Sequence, residues 1–177
     1  SLKSFSVAAG STTFRAVDGV LFSADGKTLV LYPLGREGAE YRVPDGTQRI
    51  AGKAFLGCKT LKTLDLPPSL AAIDANAFSG CVALETVALP DGLTTLDDFA
   101  FSGCRALKTV AFPANLTTLG ERALGGCAFS TLEIPATLTT VKQAGDLRAE
   151  AFSVAPGSTA FRAVDGVLFS ADGKTLV

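Results

Sequence analysis

Cys58, Cys81, Cys104 and Cys127 follow one another at a constant step of 23 residues. Pro44, Pro67, Pro90 and Pro113 keep the same step, and Pro135 comes after 22. Phe55, Phe78, Phe101 and Leu124 form a third column, and Ile50, Ile73, Leu96, Leu119 and Val141 a fourth. A period between about 20 and 50 residues marks a chain wound into a solenoid, each repeat being one coil that buries its apolar side only against its neighbours.

One coil can be read from residues 61–84. Leu64 and Leu66 alternate with Thr63 and Asp65, which predicts a short strand with one buried face. Pro67 ends it, because proline brings no N–H to a ladder. Leu70 and Ile73 turn back into the core. Ala77, Phe78 and Cys81 then fit about one helical turn. Leu84 closes the coil and leads into the next strand, Val87 to Leu89. Strands of successive coils are expected to lie parallel, about 4.8 Å apart.

The core motif stands as Leu61, Leu64, Leu66 and again as Leu84, Val87, Leu89, with AFLGC, AFSGC and AFSGC following at the 23-residue step. This combination resembles the BspA-like, treponemal-type leucine-rich repeat. The resemblance implies an α/β solenoid: a leucine-rich repeat with a parallel concave β-sheet, short helical turns on the convex side and inserted β-hairpins. Two departures stand out. The position after the strand that usually holds Asn or Cys carries Ser69, Gly92, Asn115 and Thr137, of which only Asn115 is expected to bond the backbone. ALGGCAF loses the Phe and one residue of spacing, so packing should loosen near Cys127.

Two stretches ignore the 23-residue step. Residues 5–30 and 152–177 differ only at Ala9/Pro156 and Thr13/Ala160. Each is β-rich, and Ala24-Asp25-Gly26-Lys27 predicts a tight hairpin turn, since Asp-Gly tolerates positive φ. Tyr41 and Val43 read as the next coil strand, so 8–40 is an inserted hairpin region and 155–177 a second, truncated copy. Residues 1–177 thus read as a single solenoid that is part of a longer array. Strands at 4–7 and 151–154 would present open ladder edges, an invitation to end-to-end or swapped self-association.

Chemistry is hard to place. The sequence has no histidine, so the usual triads and general bases are missing, and the cysteines lack a base to activate them. At the same place in every coil they read as a column of small buried thiols, not bridges or metal ligands; a spacing of 23 is not that of a metal site. Gly26-Lys27-Thr28 resembles the end of a phosphate-binding loop, but Gly19 is too far ahead and no helix follows, so it reads as a hairpin turn. Neither catalysis nor a cofactor is expected. Lys plus Arg number 16 against 17 Asp plus Glu, with no basic block, which argues against nucleic acid. No apolar run reaches the roughly 20 residues of a membrane helix, so no membrane insertion is expected.

What is left is surface. The outward strand positions form columns: Glu40, Thr63, Thr86, Thr109, Thr131, and Arg42, Asp65, Ala88, Ala111, Glu133. The candidate binding face is therefore Arg42, Thr63, Asp65, Thr86, Ala88, Thr109, Ala111, Thr131 and Glu133, small and uncharged in its middle. Small residues and threonine also suit any exposed sheet. The family resemblance implies a non-enzymatic protein-binding or adhesion module of a bacterial cell-surface or secreted protein, with a protein or extracellular-matrix-type ligand. The alternative is a structural spacer without a ligand of its own.

Overall fold

The computed structural model describes residues 2–142 and 147–177. A meander of β1 (Phe14–Val17), β2 (Val20–Ser23) and β3 (Thr28–Leu31) precedes the coils. The first coil holds β4 (Glu40–Arg42) and β5 (Arg49–Ile50), the second β6 (Thr63–Asp65) and β7 (Ala72–Ile73), the third β8 (Thr86–Val87) and β9 (Thr95–Leu96). The fourth keeps only β10 (Thr118–Leu119), and the fifth has β11 (Phe129–Ile134) and β12 (Thr140–Val141). β13 (Ala149–Val154), β14 (Phe161–Val164) and β15 (Val167–Ser170) end the order.

Every complete coil thus carries two strands, not one. The first set stacks as the parallel ladder β4-β6-β8, with Glu40 opposite Thr63, Thr63 opposite Thr86 and Arg42 opposite Asp65. The second set, β5-β7-β9-β10-β12, stacks in register as Ile50, Ile73, Leu96, Leu119 and Val141. That apolar column is legible in the sequence, but as single core residues; each turns out to be the inward member of a two-residue strand whose outward partner is Arg49, Ala72, Thr95, Thr118 or Thr140.

The helical turns expected on the convex side are not confirmed. Among the described residues there is no helix, and hence none long and apolar enough to cross a membrane. The A-F-x-G-C segments are hydrogen-bonded turns. Ala77 and Cys81 each donate to the residue three places back, Asp74 and Phe78. Of the intervening amides Ser79 keeps that pattern, to Asn76 at 3.2 Å, but Phe78 donates to Ala100 (2.8 Å) and Gly80 to Ser102 (2.7 Å) in the next coil. A helix needs those donors for itself. Its growth is also stopped at both ends by left-handed residues, Asn76 at φ 60° and Gly80 at 72°, and the pair recurs as Lys53/Gly57, Phe99/Gly103 and Arg122/Gly126. A Cβ on Gly80 would lie 3.6 Å from the Gly57 backbone, so this column also sets how closely the turns stack.

The core is a set of ladders of like residues. Tyr32, Phe55, Phe78 and Phe101 stack with ring centroids 4.7, 4.8 and 4.9 Å apart, one strand spacing per ring. Beside them Cys58, Cys81, Cys104 and Cys127 are buried free thiols. Three of these thiols donate to the previous coil: Cys81 to the Phe55 carbonyl and Cys104 to that of Phe78, both at 3.2 Å, and Cys127 to that of Phe101 at 3.3 Å. Hydrogen bonding with Cys127 and Cys81, reinforced by burial, pushes the Cys104 thiol up, away from thiolate. Packing does not loosen at Cys127 itself; the missing residue is felt on the opposite side of the coil.

The caps after the strand are also richer than expected. Asn115 Nδ2 donates to the Asp91 carbonyl (3.1 Å), but Ser69 Oγ donates to Thr47 (2.8 Å) and Thr137 Oγ1 to Ala114 (2.7 Å), so hydroxyls do the same work.

The inserted region is a three-stranded meander. Asp18 and Gly19, at φ 48° and 76°, make the two-residue β1–β2 turn, the geometry in which both central residues are left-handed. The 24–27 turn joins β2 to β3, and β3 then pairs parallel with β5, so the insert extends the second ladder into an eight-stranded sheet. In the second copy Asp165-Gly166 repeats the turn between β14 and β15. Residues 4–7 form no strand; Phe5 donates to the Gly19 carbonyl instead. Their counterparts 151–154 lie in β13, paired with β11.

Candidate functional site

The outward columns come from strand alternation. In β4, β6 and β8 the middle or last residue, Tyr41, Leu64 or Val87, is buried, which leaves its neighbours facing solvent. Arg42, Thr63, Asp65, Thr86, Ala88, Thr109, Ala111, Thr131 and Glu133 are all exposed. The ladder brings Arg42 beside Asp65, with Nε–Oδ2 at 3.5 Å, and Arg42 also lies 3.8 Å from Asp45. Lys62 and Glu85 form a second lateral pair at 3.2 Å. These pairs are open to water, where each is worth at most about 1 kcal/mol and stays free to exchange partners. Uncharged Thr86, Ala88, Thr109 and Ala111 follow along the face.

The face is not continuous. Ala88 bridges Ala111, but no ladder joins residues 109–112 to β11. Here the proline step shortens from 23 to 22 residues. A groove of about 670 Å³ opens in the gap, lined among others by Val110, Phe112, Thr131, Glu133, Pro135 and Ala155. Its effect on the fourth coil is direct. The inward strand residues of the other coils are buried, Leu64 to 2%, Leu66 to 7%, Leu132 and Ile134 to 0%, whereas Val110 and Phe112 are only partly covered. Behind the groove the same two coils stay joined. Thr139 and Thr140 donate to the Thr117 carbonyl and Lys142 to that of Leu119, and β10 pairs with β12. The gap is therefore a wedge in one wall, between two coils that stay joined along the second ladder.

Of the nine positions, Thr109, Ala111, Thr131 and Glu133 line this groove, and Arg42, Thr63 and Asp65 lie at the other end of the face. Sequence reasoning missed Val110 and Phe112 as surface, since their column is core in every other coil. The shortened repeat was the available signal.

Residues 39–145 match the family model described as the BspA type leucine rich repeat region, in six copies. The chain belongs to the BspA type leucine-rich repeat family. No curated protein matches it. Among solved structures it is similar to the pneumococcal vaccine antigen PcpA, at 27% identity and a TM-score of 0.72, over 90% of this chain and 42% of that one. It is also similar to the leucine-rich repeat protein of T. pallidum, at 25% identity and a TM-score of 0.63, over 77% of this chain and 64% of that one. A leucine-rich cell surface protein from Faecalibacterium prausnitzii shares the fold at 23% identity and a TM-score of 0.59, over 94% of this chain and 61% of that one. The chain thus spans less than two thirds of the length of each. Among its described residues no cluster of three or more acidic or sulfur side chains could hold a metal ion.

Proposed function

We propose that this chain is a non-enzymatic protein-binding module of a bacterial cell-surface or secreted protein, and that it binds through the concave face carrying Arg42, Thr63, Asp65, Thr86, Ala88, Thr109, Ala111, Thr131 and Glu133. The observation that carries the reading is the layout of that face: exchangeable charges at one end, small uncharged residues along the middle, and a groove with two uncovered apolar side chains at the other. The charged end orients a partner and sets its rate of approach, while the apolar side chains of the groove supply area removed from water. The family relation to a pneumococcal vaccine antigen supports a surface location, and adhesion to an extracellular-matrix-type protein is the activity this surface suits.

Immobilised fibronectin, laminin and collagen are the probes. Binding of this chain to at least one is expected to weaken about tenfold in the charge-reversed variant Arg42→Glu with Asp65→Lys, and again in Ala111→Arg. Absence of binding to all three, or binding indifferent to these substitutions, overturns the reading.

A further inference from the structure

We infer that the groove beside the fourth coil takes an extended segment of a partner protein, which adds as a strand to the free edge of residues 109–112 and places a basic side chain against Glu133. The inference rests on the concave-face reading and names the chemistry of its partner.

The ladder on either side fixes which backbone groups are free. Lys62 accepts from Glu85 and Thr86 of the coil after it, while Asp65 accepts from Val43 of the coil before it, so alternate residues of a strand bond in opposite directions. Ala111 faces backward to Ala88. The same phase turns the amides and carbonyls of Val110 and Phe112 toward the groove, where no ladder with β11 receives them. An unpaired edge is a template for another chain, and backbone pairing is the affinity term when a peptide adds to a sheet.

The side chains narrow the occupant further. Val110 and Phe112 leave apolar surface uncovered, which suits a segment with apolar residues at alternate positions. Glu133 is the single charged residue lining the groove, and among the described residues it is in no ion pair. A carboxylate at the rim of a small, apolar groove favours a cationic residue and repels an anionic one. The volume, about 670 Å³, lies in the range of ordinary ligand sites. The wall opposite is an ordered strand: β11 pairs with β13 on the side away from the groove.

The probe is a fluorescein-labelled hexapeptide patterned on residues 62–67 with Lys in place of Asp65, Lys-Thr-Leu-Lys-Leu-Pro. It has the alternation of a coil strand and the required charge. Saturable binding by anisotropy is expected, with slowed hydrogen exchange at the Val110 and Phe112 amides. The same peptide with its Thr and second Lys amides N-methylated should lose binding, because in a coil strand those two positions carry the donors to the preceding coil. The parent sequence with Asp should bind about fivefold more weakly, and Glu133→Lys should reverse that order. Glu133 is exposed, so this variant keeps the fold. Lack of binding, equal binding of the N-methylated peptide, or protection confined to Thr63–Asp65 overturns the groove. The concave-face reading falls separately, if matrix-protein binding ignores the Arg42 and Asp65 reversals.

Discussion

Residues 5–30 and 152–177 are the same sequence but for two positions, yet they bury different side chains. In the first copy Val20, Phe22 and Leu29 are 0%, 1% and 0% exposed. Their counterparts are Val167 at 42%, a half-buried Phe169, and Leu176 at 67%. The second copy instead buries Leu168 to 1%, where Leu21 of the first is only half-buried, and it half-covers Phe161, where Phe14 is 40% exposed. The reason is position in the stack. The first copy packs on the coil that follows it, through β3 and β5, and the second on the coil that precedes it, through β13 and β11. The insert is therefore apolar on two faces, one for each neighbour, and burial is set by which neighbour is there. In a solenoid, neighbour interfaces are a separate contribution to stability from the repeat itself.

Substitutions at paired positions test this directly, and the largest contrast is at the ring. Phe22→Ala removes a fully buried side chain and should cost about 3–5 kcal/mol, while Phe169→Ala should cost less than about half of that. Chemical denaturation of the two variants measures it. Equal losses would mean that the hairpin, not its docking, holds the rings. Leu29→Ala and Leu176→Ala should separate as clearly, at about 2–5 kcal/mol against a change within about 0.5. A large loss from Leu176→Ala would show that the second copy is docked on both faces.

The turn gives a control in which the two copies should agree. Gly19 and Gly166 have φ of 76° and 77°, set by the two-residue turn and not by any coil. Gly→Ala forces a side chain into the left-handed region at about 1–2 kcal/mol. At Gly19 the added Cβ also meets Ser4 Cβ at 2.8 Å, against 3.2 Å to Ala151 at Gly166. The expected losses are therefore similar, with Gly19 slightly worse. A difference larger than that at the Phe pair would make the turn, not the interface, the feature that distinguishes the copies.

The same contrast explains what could be read from sequence. The columns of Cys, Pro, Phe and Ile/Leu located the core because every coil presents them to the same neighbours. Thr95-Leu96 and Thr118-Leu119 did not announce a second ladder, since a two-residue strand has no period to detect. Ala77, Phe78 and Cys81 have helical spacing, but whether the convex turn continues as a helix depends on where the Phe78 and Gly80 amides go, and that is set by the next coil. Asp18-Gly19 was a legible turn, hidden behind the second Asp-Gly at 25 and 26. The groove lay in the shortened step before Pro135, but that missing residue told where packing would yield without telling which wall would open.

The smallest expected difference is in titration, and it bears on whether the second hairpin is formed at all. Asp25 accepts from Ser23 Oγ at 2.6 Å and from the Lys27 amide at 3.0 Å; Asp172 accepts from Ser170 Oγ and the Lys174 amide at the same two distances. In both copies the serine hydroxyl, then the backbone amide, holds the carboxyl below the usual aspartate range. Both bonds are to the ionised form, so each contributes to stability above the pKa of the unfolded chain, and the contribution is lost as pH falls through the lower folded value. The two side chains are local to a four-residue turn and touch no coil. They should titrate together, both below an unstructured aspartate, when followed by carboxyl carbon shifts in NMR. Asp25 depressed with Asp172 at the unstructured value would mean that the second turn needs a coil behind β15 before it closes. Ser23→Ala and Ser170→Ala should each raise the pKa of their own aspartate and leave the other unmoved, which separates a local cause from one carried through the stack.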